Sequence, residues 1–357
     1  MEVSGSDPGI RWSGVVSLEH ANGFVAPWRV PYQDTDLYFP LGGTGRAAMT
    51  SGVRFGFVTD SESVEVEYAL TPPTYDPAPP ELPWLDVFCD GERFETVLLE
   101  RQTDRALFTV TGLPRGRKLV EFWLPVYAQM RIGRIRLAPG SVLLADESRL
   151  PAWTHYGCSI SQGRGAVSPS RTFPAQLALA EGLDLTSVSM GGTCHLQPMF
   201  GRLVAGMPSE LISLHVGSNI YYYGSLNRET LHGAVVGFVS LIRDRQPDVP
   251  VVVISPTYAP AWEAKPGPSR LTHKRLRSEI RNAMDWLLDR GDPRLHYIDG
   301  TELFGEADAE HFLEPPEREQ VHFDPRGHDL VARRLGARFA ELGVLPSGPA
   351  RTPERTA

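Results

Sequence analysis

The residues best suited to chemistry lie in four short stretches of the second half of the chain. The first is His155-Tyr156-Gly157-Cys158-Ser159-Ile160-Ser161-Gln162-Gly163, where glycines surround a serine that follows an apolar run. A serine on a sharp strand-to-loop turn presents its hydroxyl to a substrate, and glycines permit such a turn because they tolerate dihedrals that other residues resist. The second stretch, Ser189 to His195, holds Gly191-Gly192, and paired glycines let a backbone N–H approach a ligand closely. The third is His215-Val216-Gly217-Ser218-Asn219, ending in a side-chain amide that can donate a hydrogen bond. The fourth runs from Glu319 through His322 to His328, with Asp324-Pro325 as a helix-start signal that leaves His322 in the loop before it. Alone, each is an ordinary turn or loop stretch. Together they supply a hydroxyl, two kinds of hydrogen-bond donor and an imidazole.

What brings them together is the pattern of elements around them. Beyond residue 150, apolar runs alternate with amphipathic segments. Strands are predicted over 153–158, 185–190, 211–216, 249–254 and 295–298, and helices over 173–181, 198–204, 230–245, 269–289 and 325–342. This β-α-β-α order implies a parallel sheet with helices on both faces. Right-handed crossovers then align the strand C-termini on one edge, which is where ligands bind in such folds. The serine, glycine, asparagine and histidine follow predicted strands one, two, three and five.

The first half reads differently. From about residue 14 to 144 the apolar period is mostly two, as in Val64, Val66, Tyr68 and Leu70, or Leu85, Val87 and Cys89. Asp90-Gly91 is a hairpin signal and Leu113-Pro114-Arg115-Gly116 a turn. Short strands with frequent turns predict an all-β sandwich or jelly roll. The proline-rich stretch 71–84 reads as a long loop within it, whose Tyr75 and Trp84 either touch a ligand or pin the loop. The expected organisation is a β-sandwich over 10–147, an α/β domain over 150–345 and a disordered tail over 346–357.

Composition narrows the function classes. The net charge of −8 argues against a nucleic-acid partner. No apolar run approaches the roughly 20 residues of a membrane span, so no membrane partner is expected. The three cysteines, Cys89, Cys158 and Cys194, are odd in number and far apart, which fits neither a disulfide framework nor a zinc site. Residues 1–7 lack the basic start and apolar core of a signal peptide, and the expected location is cytoplasmic.

The four stretches, in this order, resemble the blocks of the SGNH (GDSL-type) hydrolases. The first block is Gly157-Cys158-Ser159, with Cys158 where the family usually has Asp. The second centres on Gly192. The third is Gly217-Ser218-Asn219-Ile220, with Ile220 in place of a usual Asp. The last is Glu319-Gln320-Val321-His322, with Glu319 in place of Asp and Gly327-His328 opening a helix. The resemblance covers about 153–342 and implies a flavodoxin-like α/β hydrolase domain. It implies serine acyl transfer, with Ser159 as nucleophile, His322 as base and Glu319 as the third triad member, Glu317 being the next candidate. The oxyanion would be held by the N–H groups of Ser159 and Gly192 and by Asn219. No metal or cofactor is implied. The partners would be an ester or acyl thioester donor, and water or a small-molecule alcohol as acceptor.

The β-sandwich looks like a carbohydrate-binding module, and the whole layout resembles SGNH-type acyltransferases of antibiotic biosynthesis that act on tetracycline-like acceptors. Tyr221, Tyr222 and Tyr223 are either candidate aromatic walls for an acyl or acceptor ring or a buried loop cluster, with Trp262 a further candidate wall. Three rival readings stand beside this one: Cys158 as the nucleophile, His322 and His328 as a zinc pair, and a catalytically impaired binding protein of the same fold.

Overall fold

In a computed structural model, which describes residues 1–39, 45–73 and 81–346, the period-two half of the chain forms two antiparallel sheets. Tyr75 and the tail from residue 347 lie outside the described residues. One sheet runs in the order Ser17–Ala21, Phe24–Trp28, Gln129–Leu137, Ser63–Thr71, Thr103–Thr111, with Glu2–Ser4 also paired to Gln129–Leu137. The other runs Leu143–Leu144, Arg54–Thr59, Lys118–Trp123, Trp84–Cys89, Glu92–Leu98, with Arg11–Ser13 on Arg54–Thr59. Alternation determines which side chains meet between them. Val64, Val66, Tyr68 and Leu70 of one sheet and Leu85 and Val87 of the other are buried in a shared core. Trp84 sits at the start of its strand, half-buried and paired with Leu98.

The second half forms a five-stranded parallel sheet. In chain order its strands are Ala152–Tyr156, Asp184–Ser187, Leu211–His215, Val251–Ile254 and Leu295–Ile298; in space the order is second, first, third, fourth, fifth. Trp153 pairs with Leu185 on one side and Leu211 on the other. The order reverses at the first strand, and in doubly wound sheets the ligand crevice opens at the C-terminal ends beside that reversal. Helices Pro198–Gly206, Arg228–Arg243 and His273–Leu288 pack together on one face, and Phe173–Glu181 and Pro325–Glu341 on the other. Asp324 caps the last of these, accepting the Gly327 N–H at 2.7 Å.

The β half is built into the α/β half. Val30, Tyr38, Phe39, Ala47, Phe88 and Trp123 belong to the same apolar core as the parallel strands. Arg29 is fully buried, and its guanidinium donates to the carbonyls of Met49, Arg46, Ser187 and Ser189. The buried Asp86 accepts from Ser168 Oγ at 2.7 Å and from the Ser170 N–H at 2.9 Å. Arg54 pairs with Asp184. These contacts satisfy polar groups that burial would otherwise leave unpaired.

Candidate active site

Ser159 opens a single helical turn, Ser159–Gln162, directly after the first parallel strand. Tight packing there requires glycine at 157: a Cβ on Gly157 would lie 2.4 Å from Ser161 Oγ and 2.6 Å from Ser161 Cβ. The turn closes on Gly163, whose φ of 112° lies in the left-handed region. Ser159 Oγ is 2.8 Å from His322 Nε2. Cys158, its neighbour, is buried, and burial pushes its thiol up, which disfavours the thiolate that a cysteine nucleophile needs.

The other side of the imidazole corrects the expected triad. The carboxylate on His322 Nδ1 is that of Glu314, at 2.5 Å, and not that of Glu319. The second Glu314 oxygen accepts the N–H groups of Val321 and His322 at 3.1 and 3.0 Å. The physical reason is local pairing. Phe312 bridges Phe323 in antiparallel fashion, and Leu313 N–H donates to His322 O at 2.8 Å. This narrow ladder sets Glu314 across from His322. Glu319 lies in the connecting turn, exposed, and lines the cavity instead. Glu317, the other candidate, is also exposed in that turn. Burial raises the Glu314 carboxyl, but the hydrogen bond and charge of His322 and the two N–H donors outweigh it. The group ends below its ordinary range.

Ser159, Gly192, Asn219 and His322 line one cavity of about 270 Å3, together with Cys158, Ser218, Tyr222, Tyr223, Trp262, Glu319 and Val321. Asn219 Oδ1 accepts the Cys194 N–H at 3.0 Å, which commits the oxygen and leaves the amide N–H2 as the group to offer a ligand. The Gly191 N–H donates to Gln162 Oε1 at 2.7 Å. Gly192, with φ of 72°, forms the wall beyond it. His195 Nε2 meets the Gly192 carbonyl at 3.1 Å, so that nitrogen carries the proton, while Nδ1 meets Ser225 Oγ at 2.8 Å.

The aromatic candidates divide. Tyr222 and Tyr223 are half exposed and line the cavity, with ring centroids 4.9 Å apart; Trp262 lies 6.0 Å from Tyr222. Tyr221 does not reach the cavity. It is buried, stacked against Trp262 at 4.6 Å, and donates to Lys265 O at 2.9 Å. The run lies on helix Ser218–Tyr223, where successive residues point about 100° apart. One tyrosine therefore turns inward while its neighbours face out.

His328 is not half of a metal pair. Its Nδ1 accepts the Phe173 N–H at 3.3 Å, and its Nε2 donates to Arg164 O at 2.9 Å, so both nitrogens are engaged in the core. Among the described residues, no group of three metal-ligating side chains occurs, and no helix is long and apolar enough to cross a membrane.

Sequence reasoning missed Glu314, Gln162 and His195. For Glu314 a signal existed: Phe312-Leu313-Glu314 and Val321-His322-Phe323 are short matching runs around Pro315-Pro316, which reads as a hairpin.

Comparison with known proteins agrees with this architecture. Residues 10–132 match a family described as the SsfX3 N-terminal domain, and residues 152–316 match the GDSL-like lipase/acylhydrolase family. The chain is similar to the structure of a salicylyl-acyltransferase, SsfX3, from a tetracycline biosynthetic pathway. Identity is 43%, the TM-score is 0.92, and 97% of this chain and 98% of that one are covered. A GDSL-like lipase from Bacteroides ovatus ATCC 8483 shares the fold at 17% identity and TM-score 0.78, with 97% and 98% covered. A family two carbohydrate esterase from Cellvibrio japonicus shares it at 15% identity and TM-score 0.65, with 97% and 99% covered. Nothing among curated proteins matches the chain. The chain belongs to the GDSL-like lipase/acylhydrolase family and is an SGNH-type esterase or acyltransferase with an SsfX3-type N-terminal domain.

Proposed function

We propose that the protein transfers an acyl group through an acyl-Ser159 intermediate, from an ester or thioester donor to a hydroxyl of a ring-bearing small molecule. The observation that carries the mechanism is the continuous relay from Ser159 Oγ through His322 to Glu314 at a cavity also lined by Gly192 and Asn219. An alcohol is a weak nucleophile at its own pKa and needs a base within hydrogen-bond reach. His322 takes the Ser159 proton as Oγ attacks the carbonyl carbon. Glu314 holds Nδ1–H and balances the imidazolium. The N–H groups of Ser159 and Gly192 and the Asn219 amide receive the oxyanion. His322 then protonates the departing thiol or alcohol. In the second half, an acceptor hydroxyl gives its proton to His322, attacks the acyl-serine, and Ser159 leaves with that proton.

Transfer rather than hydrolysis is favoured by the similarity to a salicylyl-acyltransferase over nearly the whole chain. The Tyr222, Tyr223 and Trp262 walls suit a flat acyl or acceptor ring. By the same similarity, a role in antibiotic biosynthesis in the cytoplasm is the setting we propose. The test has two parts. Fluorophosphonate should label the wild type and not Ser159→Ala; an unlabelled wild type would favour an impaired binding protein. An acyl thioester offered with polycyclic alcohols should yield ester in excess of free acid. Free acid alone would make the enzyme a hydrolase.

A further inference from the structure

Gln162 takes no part in the acyl-transfer scheme, yet it is fully buried at the end of the nucleophile turn with its polar groups engaged. Oε1 accepts the Gly191 N–H at 2.7 Å. Nε2 donates to Met49 Sδ at 3.3 Å, and the backbone oxygen accepts from Ser51 Oγ at 2.6 Å. Met49 and Ser51 belong to the β half of the molecule. Tyr127, from the same half, reaches Ser159 O at 3.5 Å. Across the loop, His195 holds the Gly192 carbonyl.

The Gly191-Gly192 pair is thus gripped at its leading N–H by Gln162 and at its trailing C=O by His195. Two adjacent glycines have more conformational freedom to lose than any other pair. The loop also passes directly over the nucleophile: a Cβ on Gly191 would sit 3.3 Å from Ser159 Cβ. A donor aimed at an oxyanion is effective only if it is oriented before charge develops.

We propose that Gln162 is a positioning residue that sets the oxyanion loop against Ser159, and that the Met49–Ser51 segment of the β half sets Gln162. This rests on the assignment of Gly192 as an oxyanion donor. The N-terminal half would then be a structural part of the catalytic centre, whatever else it binds.

The test compares Gln162→Met, Gln162→Glu and Ser51→Ala with the wild type for p-nitrophenyl ester turnover, alongside thermal melting. Gln162→Met keeps the bulk and loses the acceptor. It should lower kcat about 10- to 100-fold with KM within about twofold, the cost expected of a small misplacement of catalytic groups. Gln162→Glu, neutral when buried, still offers an oxygen to Gly191 and should recover kcat to within about fivefold of the wild type. Ser51→Ala should lower kcat several-fold. Wild-type kcat in Gln162→Met overturns the proposal, as does a Gln162→Glu variant no better than Gln162→Met, which would mean packing alone. If Gln162→Met does not fold, Gln162→Leu takes its place with the same readings, and unchanged kcat in Ser51→Ala overturns the link to the β half, since Ser51 Oγ holds the Gln162 backbone oxygen. Wild-type turnover in Ser159→Ala would instead bring down the acyl-serine reading. A dead Ser159→Ala beside an unimpaired Gln162→Met brings down this inference alone.

Discussion

Of the two carboxylates Glu314 and Glu319, Glu314 holds the His322 imidazole, and Glu319 lines the cavity. Their substitutions should therefore separate sharply. Glu314→Gln keeps the shape but reverses what faces Nδ1, and kcat should fall by about 10² to 10⁴ as the ring loses its tautomer and its counter-charge. Glu319→Ala should leave p-nitrophenyl ester turnover within about threefold of the wild type, since no step of the scheme needs it. Equal losses in both variants, measured as kcat at saturating ester, would refute the assignment. Asn219 supports a second test at this scale. Its Oδ1 is committed to the Cys194 N–H. Asn219→Asp keeps that acceptor and puts a negative oxygen where the amide N–H2 stood. It should lose at least the 10² to 10³ typical of a missing oxyanion donor, and should do no better than Asn219→Ala. Near wild-type kcat in Asn219→Asp would remove Asn219 from the site.

At the scale of elements, the parallel sheet explains what could be read from sequence. Ser159, Gly192, Asn219 and His322 each follow a strand or its connecting loop, and parallel strands deliver their C-terminal ends to one edge, so order along the chain became proximity in space. Glu314 did not follow that logic. Its place across from His322 depends on the length of the turn between Phe312 and Phe323, which no strand periodicity encodes. For Tyr221 the choice between wall and buried cluster is not encoded by period either, because a one-residue rotation on the short helix Ser218–Tyr223 decides which ring faces the cavity. Gln162 was hidden because its partners, Met49 and Ser51, lie more than a hundred residues away in a half that the catalytic motifs do not mention. The nucleophile turn itself predicts a further result. In Gly157→Ala the new methyl meets Ser161 on that turn. Moving the turn to relieve the contact should lower kcat about tenfold or more, and overpacking should cost about 1–3 kcal/mol of stability. Wild-type kcat and unchanged denaturant midpoint in Gly157→Ala would contradict the packing described.

Across the whole molecule, the shared core of Val30, Phe39, Phe88 and Trp123 with the parallel strands joins the two halves, and four buried histidines set how that structure responds to acid. Burial holds His155 and His273 down at about 3, and His215 and His328 at about 4. The Nε2 atoms of His155, His215 and His273 have no polar partner among the described residues, so a proton there would be neither solvated nor paired. The unfolded chain binds these protons near pH 6.5. The folded state is thus favoured fully above that value, and stability falls as pH drops from about 6.5 towards 4. Each histidine contributes a slope of about 1.4 kcal/mol per pH unit within that window. Glu314 acts in a lower window. Its carboxyl is held below the ordinary value, so its contribution is present above the ordinary carboxylate range and is lost only as pH falls through the depressed folded value. The two effects are therefore separable. Urea unfolding at pH 7.5, 6.5, 5.5 and 5 should show free energy falling steeply below 6.5, before the carboxylates titrate. His273→Leu should flatten that slope by about one proton, about 1.4 kcal/mol per pH unit. A wild-type free energy that is level from pH 7.5 to 5, or a slope unchanged in His273→Leu, would show that these rings are not held neutral by the fold.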